Sequence, residues 1–289
     1  MFGEDPSIEQ IEAESRTLAF SLLRHPIWTE HKARLIAEYL RYFVFITRHG
    51  TYIDGFAGPQ EPDAESTWAA KLVLETEPRW LRNFFLCELD QRKVELLKCL
   101  VDRQSPRRKE KKEHDRLIEV FGGDFNRSVH KVLSSGVITE KEATFALLDQ
   151  RTFECEWRTV QAIAQHKKVG NKIELFYFLA VKWIHRSLSG VKDEGAARVS
   201  AWWGSDDWGV LKGLSQDDLR DILCDRIKAE LGYRYVVPWP IYEREESGGA
   251  VMYYMIHATD HDQAPKLMYR AYHNAVSPAV PPIQEKLDL

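Results

Sequence analysis

Thr51-Tyr52-Ile53-Asp54-Gly55-Phe56-Ala57-Gly58-Pro59 is the stretch on which the fold turns. Its opening residues are β-branched or aromatic, as a strand requires, and the run then breaks into a turn with two glycines and a proline. A carboxylate, Asp54, stands at the strand's end. Gly58 lets the backbone approach a ligand closely or adopt a positive φ. The arrangement recurs downstream. Asn83–Leu89 reads as a second strand, with Glu88 near its end and Asp90 two residues on. Ile118–Phe121 reads as a third, followed by Gly122-Gly123-Asp124. Thr144–Leu148 reads as a fourth, followed by Asp149-Gln150-Arg151-Thr152-Phe153-Glu154.

Helical spacing fills the intervals. Leu35, Ile36, Tyr39, Leu40 and Phe43 share one face before the first strand. Residues 66–77, Gln91–Val101, Ser128–Leu133 and Trp157–Gln165 read as helices, and Lys172–Leu179 as a fifth strand. Strands alternating with helices predict right-handed crossovers and a parallel sheet covered on both faces. The second half changes character. Ser215–Leu231 reads as a helix. Tyr233–Tyr242 and Val251–Ala258 read as strands joined by a linker, 243–249, of hairpin chemistry, so they are predicted to be antiparallel neighbours. Ala264–Ala275 reads as a closing helix. The predicted fold class is therefore α/β: a Rossmann-like class I methyltransferase fold, its sheet mostly parallel with a C-terminal antiparallel hairpin. Residues 1–30 form a helical lead-in, with Thr29 a candidate cap for the next helix, and 31–289 a single domain.

Composition narrows the class further. A hydrophobic fraction of 44% over 289 residues is that of a globular chain. The formal net charge is -4, which argues against a general basic coat for nucleic acid but leaves room for a local basic groove. One basic run exists: Arg103, Arg107, Arg108, Lys109, Lys111, Lys112 and Arg116, diluted by Glu110, Glu113 and Asp115. It reads as a solvated loop or as a phosphate-contacting patch. Cys87, Cys99, Cys155 and Cys224 form no C-x-x-C pair, which points to a reducing, cytosolic setting. The acidic N-terminus lacks a signal peptide's basic region, and no apolar run approaches the roughly 20 residues of a membrane span.

Ligands of open α/β sheets bind outside the carboxyl ends of the strands, where strand order switches. A carboxylate at Glu88 has the chemistry to accept from ribose hydroxyls, and Asp124 to accept from an adenine amino group. The order and spacing of these ends point to a nucleoside cofactor. Gln60 stands where nucleotide loops usually place another glycine, which weakens a pyrophosphate cradle. No G-K-[ST] occurs either. S-adenosylmethionine has no phosphate and needs only one close backbone approach, so it is the preferred cofactor.

Trp28-Thr29-Glu30-His31-Lys32, the 52–59 stretch, Gly123-Asp124-Phe125-Asn126, Leu148-Asp149, Ile173-Glu174-Leu175-Phe176, Trp203-Gly204-Ser205-Asp206-Asp207-Trp208 and Tyr253-Tyr254-Met255-Ile256 follow one another along the chain. In that order they resemble the three-Cys-motif partner proteins, from about Trp28 to about Tyr272. The resemblance implies a methyltransferase-like Rossmann fold and a partner of radical-SAM type that carries the three-cysteine motif itself. Many members follow the fourth strand with Asp-Pro-Tyr-Gly or similar. Here Asp149 is followed by Gln150-Arg151-Thr152, which puts amino-methylation by that loop in doubt. With no Pro-Cys pair there, Cys155 reads as a packed thiol.

The expected assignments follow. Asp54, Phe56, Ala57 and Gly58 would meet the cofactor's methionine part, Glu88 its ribose, and Asp124 with Phe125 its adenine. Asp149 would face the methyl group and orient or deprotonate a nucleophile, with Arg151 and Glu154 shaping the substrate side. Arg151 could instead bridge to Glu154 or Asp149. His31 and Lys32 read as a helix start near the cofactor edge or as surface capping. Trp202, Trp203, Trp208 and Trp239 suit a base-stacking platform, core or an interface. His257 and His261 do not reach metal-site spacing. Three functions stay open: an S-adenosylmethionine-dependent methyltransferase, with nucleic acid one candidate substrate; a non-catalytic docking partner; and a nucleic-acid-processing enzyme using Asp149 and Glu154 with a divalent metal.

Overall fold

In the computed structural model, residues 6–17, 31–60, 65–242 and 251–276 are described. Trp28, the Thr29 cap, Glu30 and the 243–249 linker lie outside the described residues. The chain runs α1 (Ile8–Thr17), α2 (Lys32–Thr47), β1 (Gly50–Asp54), α3 (Ala69–Glu75), β2 (Leu81–Glu88), α4 (Gln91–Asp102), β3 (Leu117–Gly122), α5 (Phe125–Leu133), β4 (Thr144–Leu148), α6 (Trp157–Ala164) and β5 (Glu174–Leu179). It continues through α7 (Val181–Ser189), α8 (Asp193–Trp203), α9 (Gln216–Leu231), β6 (Tyr235–Tyr242), β7 (Val251–Thr259) and α10 (Ala264–Val276).

The seven strands form one sheet in the order β3-β2-β1-β4-β5-β7-β6. β1 to β5 pair in parallel, whereas β7 is antiparallel to both β5 and β6. The order is that of a methyltransferase-like Rossmann sheet, and the parallel strands and antiparallel terminal pair are as predicted. β7, the last strand in sequence, occupies an interior position, and β3 and β6 are the edges.

The strand period of two sorts side chains into two apolar layers. Ile53, Phe85, Ala146, Leu148, Leu175 and Tyr177 face α5 to α9. Tyr52, Phe84, Phe145, Leu147, Phe176 and Phe178 face α2, α3, α4 and α10. Burial on both faces explains why these strands read as continuous apolar runs rather than alternating ones.

Several elements differ from expectation. The 66–77 helix is a 3₁₀ turn, Glu65–Thr67, followed by the short α3. The helix read from Ser128 starts at Phe125, because the Asp124 side chain accepts from the Asn126 N–H at 2.9 Å and caps it. The fifth strand starts at Glu174 rather than Lys172, whose ammonium instead pairs with Asp260 at 3.1 Å. Finally, α7 and α8 occupy residues for which no element was predicted; α7 nevertheless buries Val181, Ile184 and Leu188 at helical spacing.

Candidate active site at the carboxyl edge of the sheet

The turn after β1 is fastened to both neighbouring strands. Gly55 N–H donates to Leu147 O of β4 at 3.0 Å, and Ala57 N–H to Cys87 O of β2 at 2.8 Å. Trp68 Nε1 donates to Ala57 O at 2.6 Å. Asp54 serves the turn from inside: its Oδ1 accepts from Phe56 N–H at 3.0 Å and its Oδ2 from the Tyr52 hydroxyl at 2.8 Å. Only 1% exposed, Asp54 has its carboxyl raised to about 7, by burial first and then by the negative Asp149 and Glu88 nearby.

Glu88 is held as tightly. Its Oε2 accepts from Gly58 N–H and its Oε1 from Asp90 N–H, both at 2.9 Å. Asp90 in turn caps α4 through Arg92 N–H at 2.8 Å. A Cβ on Gly58 would stand 2.2 Å from Glu88 Oε2, so this glycine is required by the carboxylate's approach, not by a positive φ. Gly123, by contrast, does take a positive φ, at 123°, and its N–H donates to Glu88 O at 2.8 Å. It turns β3 into Asp124. Asn126, not singled out from the sequence, ties this end to the segment after β4: its Nδ2 donates to Glu154 O at 2.8 Å and its Oδ1 accepts from Glu156 N–H at 2.9 Å.

These ends surround one cavity of about 1450 Å³. Of the expected residues, Phe56, Gly58, Glu88, Asp124, Phe125, Asp149, Arg151 and Glu154 line it together. Asp54 and Ala57 lie behind the wall and shape the turn. Leu89, 73% exposed, adds an apolar surface beside Glu88.

Lys32 is a buried member of the site and not a surface cap. Its ammonium reaches Asp149 Oδ1 at 2.8 Å and Oδ2 at 2.6 Å, with a side chain only 6% exposed. It also stands 4.6 Å from the centroid of Phe178 and 5.8 Å from that of Tyr253. The bridge considered for Arg151 therefore forms elsewhere: Lys32 pairs Asp149, and Arg198 lies 3.7 Å from Glu154. Arg151 contributes its backbone N–H to Glu154 Oε2 at 2.9 Å. With a cation on each of Asp149 and Glu154, the pair is poorly placed to share a divalent metal, against the nucleic-acid-processing reading.

Cys155 is fully buried, and burial pushes its thiol well above the ordinary range. Trp202, Trp203 and Trp239 are core residues, so of the readings open for them the core one holds and no stacking platform forms there. Trp203 Nε1 donates to Asp207 Oδ1 at 3.0 Å, and Gly204, at φ 86°, packs against Trp157, giving the W-G-x-x-x-W segment a structural explanation. The exposed tryptophan beside the cavity is Trp183, at 48%. His257 is buried against Glu174 at 2.8 Å.

The basic run lies at the opposite edge. It precedes β3, so it meets the amino ends of the strands, and His114 contacts Arg48 O there at 3.2 Å. Arg108 pairs with Glu77 and Glu113, and Arg107 with Asp115 at 2.6 Å. No helix among the described residues is long and apolar enough to cross a membrane.

No family model matches the chain, and no curated protein matches it. A solved structure described as DszA carbon methyltransferase is similar at 16% identity and a TM-score of 0.45, over 88% of this chain and 61% of that one. This chain therefore spans less than two thirds of that protein's length. The fold assignment rests on the strand order itself.

Proposed function

We propose that this chain is an S-adenosylmethionine-dependent methyltransferase that holds its cofactor in the carboxyl-edge cavity. The observation that carries the reading is Glu88, pinned by the Gly58 and Asp90 amides on the cavity wall at the end of β2. Each carboxylate oxygen spends one acceptor site on an amide and keeps another for a ribose hydroxyl. On the same side of the cavity, Asp124 Oδ1 is committed to Asn126, while Oδ2 keeps acceptor capacity for an amino group. Leu89 and Phe125 offer apolar surface to a planar ring. The bound cofactor would supply an electrophilic methyl group. Asp149 lines the same cavity, engaged on both oxygens by Lys32; it is placed to orient an acceptor through its remaining lone pairs.

The 52–59 and 203–208 segments carry the resemblance to the three-Cys-motif partner proteins. Docking to a radical-SAM-type partner belongs to that resemblance. Cofactor binding separates catalysis from docking alone. S-adenosylhomocysteine at 100 times its Kd is expected to stabilise the protein by about 2.7 kcal/mol, read as a thermal shift. Glu88→Ala should abolish that shift. No shift at millimolar ligand, with the protein folded, favours the docking role.

A further inference from the structure

The cavity has two unlike sides, and the second is not needed to hold a nucleoside cofactor. The strand order reverses between β1 and β4. On the β1, β2 and β3 side lie Glu88, Asp90 and Asp124. On the β4 and β5 side lie Arg151, Arg198, Trp183 and Tyr253. At about 1450 Å³ the cavity exceeds the roughly 300–1,000 Å³ of a single small-ligand site, leaving room for an acceptor beside a cofactor.

The charges on the second side are largely paired. Asp149 is held by Lys32, Glu154 faces Arg198, and Glu156 is bridged by Arg158. Arg151 is exposed, and its guanidinium pairs with no described residue. An unneutralised guanidinium in a cavity wall suits an anion, and its fork matches phosphate geometry. The aromatic surface complements it. Trp183 stands in the first turn of α7, 48% exposed, with the Arg186 guanidinium 5.1 Å from its ring centroid. A large apolar ring exposed beside a binding cavity is costly to leave in water and is suited to stack a flat partner.

We infer that the methyl acceptor is a nucleotide unit, with its base stacked on Trp183 and its phosphate on Arg151. The inference rests on the methyltransferase reading only for the word acceptor; the binding surface stands on its own residues. Transfer would break the cofactor's S–CH3 bond and form a bond from methyl carbon to an acceptor atom. The cofactor's sulfur leaves as a neutral thioether, and any proton on the acceptor passes to solvent. A free nucleotide and a single-stranded nucleic acid share this chemistry, and binding measurements tell them apart.

The experiment measures binding of fluorescently labelled 12-nucleotide single-stranded DNA and RNA by anisotropy, with AMP and CMP as competitors. The full chain is used with and without S-adenosylhomocysteine. Trp183→Ala should weaken oligonucleotide binding by about tenfold, and Trp183→Phe should retain most of it. Arg151→Ala should reduce the slope of log affinity against log salt by about 0.7. Loss of binding in Trp183→Ala but not in an Arg107→Ala/Lys111→Ala control supports the inference. Competition by mononucleotides at equal affinity supports it with the free nucleotide as source. No binding by a protein that still shifts with S-adenosylhomocysteine overturns the acceptor class and spares the cofactor site. Equal loss in the Arg107/Lys111 control overturns the location. Oligonucleotide binding without a cofactor shift leaves the surface standing and removes the methyltransferase reading.

Discussion

Glu88 shows how much of a binding site is settled by one backbone position. Its oxygens are aimed by Gly58 and Asp90 amides, and a methyl group at Gly58 would occupy the carboxylate's place. Gly58→Ala is therefore expected to cost about 1–3 kcal/mol in urea unfolding and to weaken S-adenosylhomocysteine binding. An unchanged affinity would separate Glu88 from the ligand. Asp54 gives a pH signature. With its folded carboxyl near 7 and an unfolded value near 3.9, the folded state binds the extra proton between those limits. The native state therefore loses this contribution as pH rises from about 4 to 7, and little changes above. In Asp54→Asn that slope should flatten, measured as urea midpoints at pH 5, 6, 7 and 8; parallel profiles would rule out the titration. The sequence placed both carboxylates at strand ends, because a strand's end is visible in its residue types. Which of them would face the cavity and which would turn inward depended on Tyr52, a residue that reads only as a strand former.

At the scale of elements, α2 is joined to the carboxyl edge of the sheet by the Lys32–Asp149 pair. Removing one member of a buried pair costs about 3–5 kcal/mol, and Asp149 keeps some solvent, so Lys32→Met should lower stability by about 2 kcal/mol. Adding Asp149→Asn should restore most of it. A double variant no better than the single would mean that the pair is not the fastening. Lys32 was legible as a helix start near the cofactor edge or as a surface cap, but its burial was not, since a lysine three residues before the first apolar ridge of a helix normally faces water. Its burial comes from Phe178 and Tyr253, contributed by strands far along the chain. For the same reason Trp183 passed unnoticed among more closely spaced tryptophans. Clustered Trp202 and Trp203 fill a core, whereas an isolated one at a helix's first turn reaches the cavity.

Across the whole molecule, the two ends of the sheet carry different chemistry. The carboxyl edge holds the large cavity, and the amino edge holds the basic run with its own acidic partners. Charge changes at Arg107 and Lys111 should therefore leave a cofactor-induced thermal shift unaltered within error. A reduced shift would mean that the two edges communicate. The parallel sheet with its antiparallel terminal pair was readable because helix and strand alternate cleanly up to β5 and a turn-rich linker follows later. The sequence did not show which strand of the terminal pair would lie inside, since both are equally apolar.

That inner placement of β7 bears on how the chain is made. During synthesis β5 emerges with no outer neighbour, and it waits for a strand that leaves the ribosome only after α7, α8, α9 and β6. Until then its apolar rim is bare, and Glu174 has the Tyr39 hydroxyl of α2 but lacks His257. The nascent chain therefore keeps an open β5 edge until β7 is made, and release of an incomplete chain ending ahead of Val251 would leave that edge for another copy to pair with.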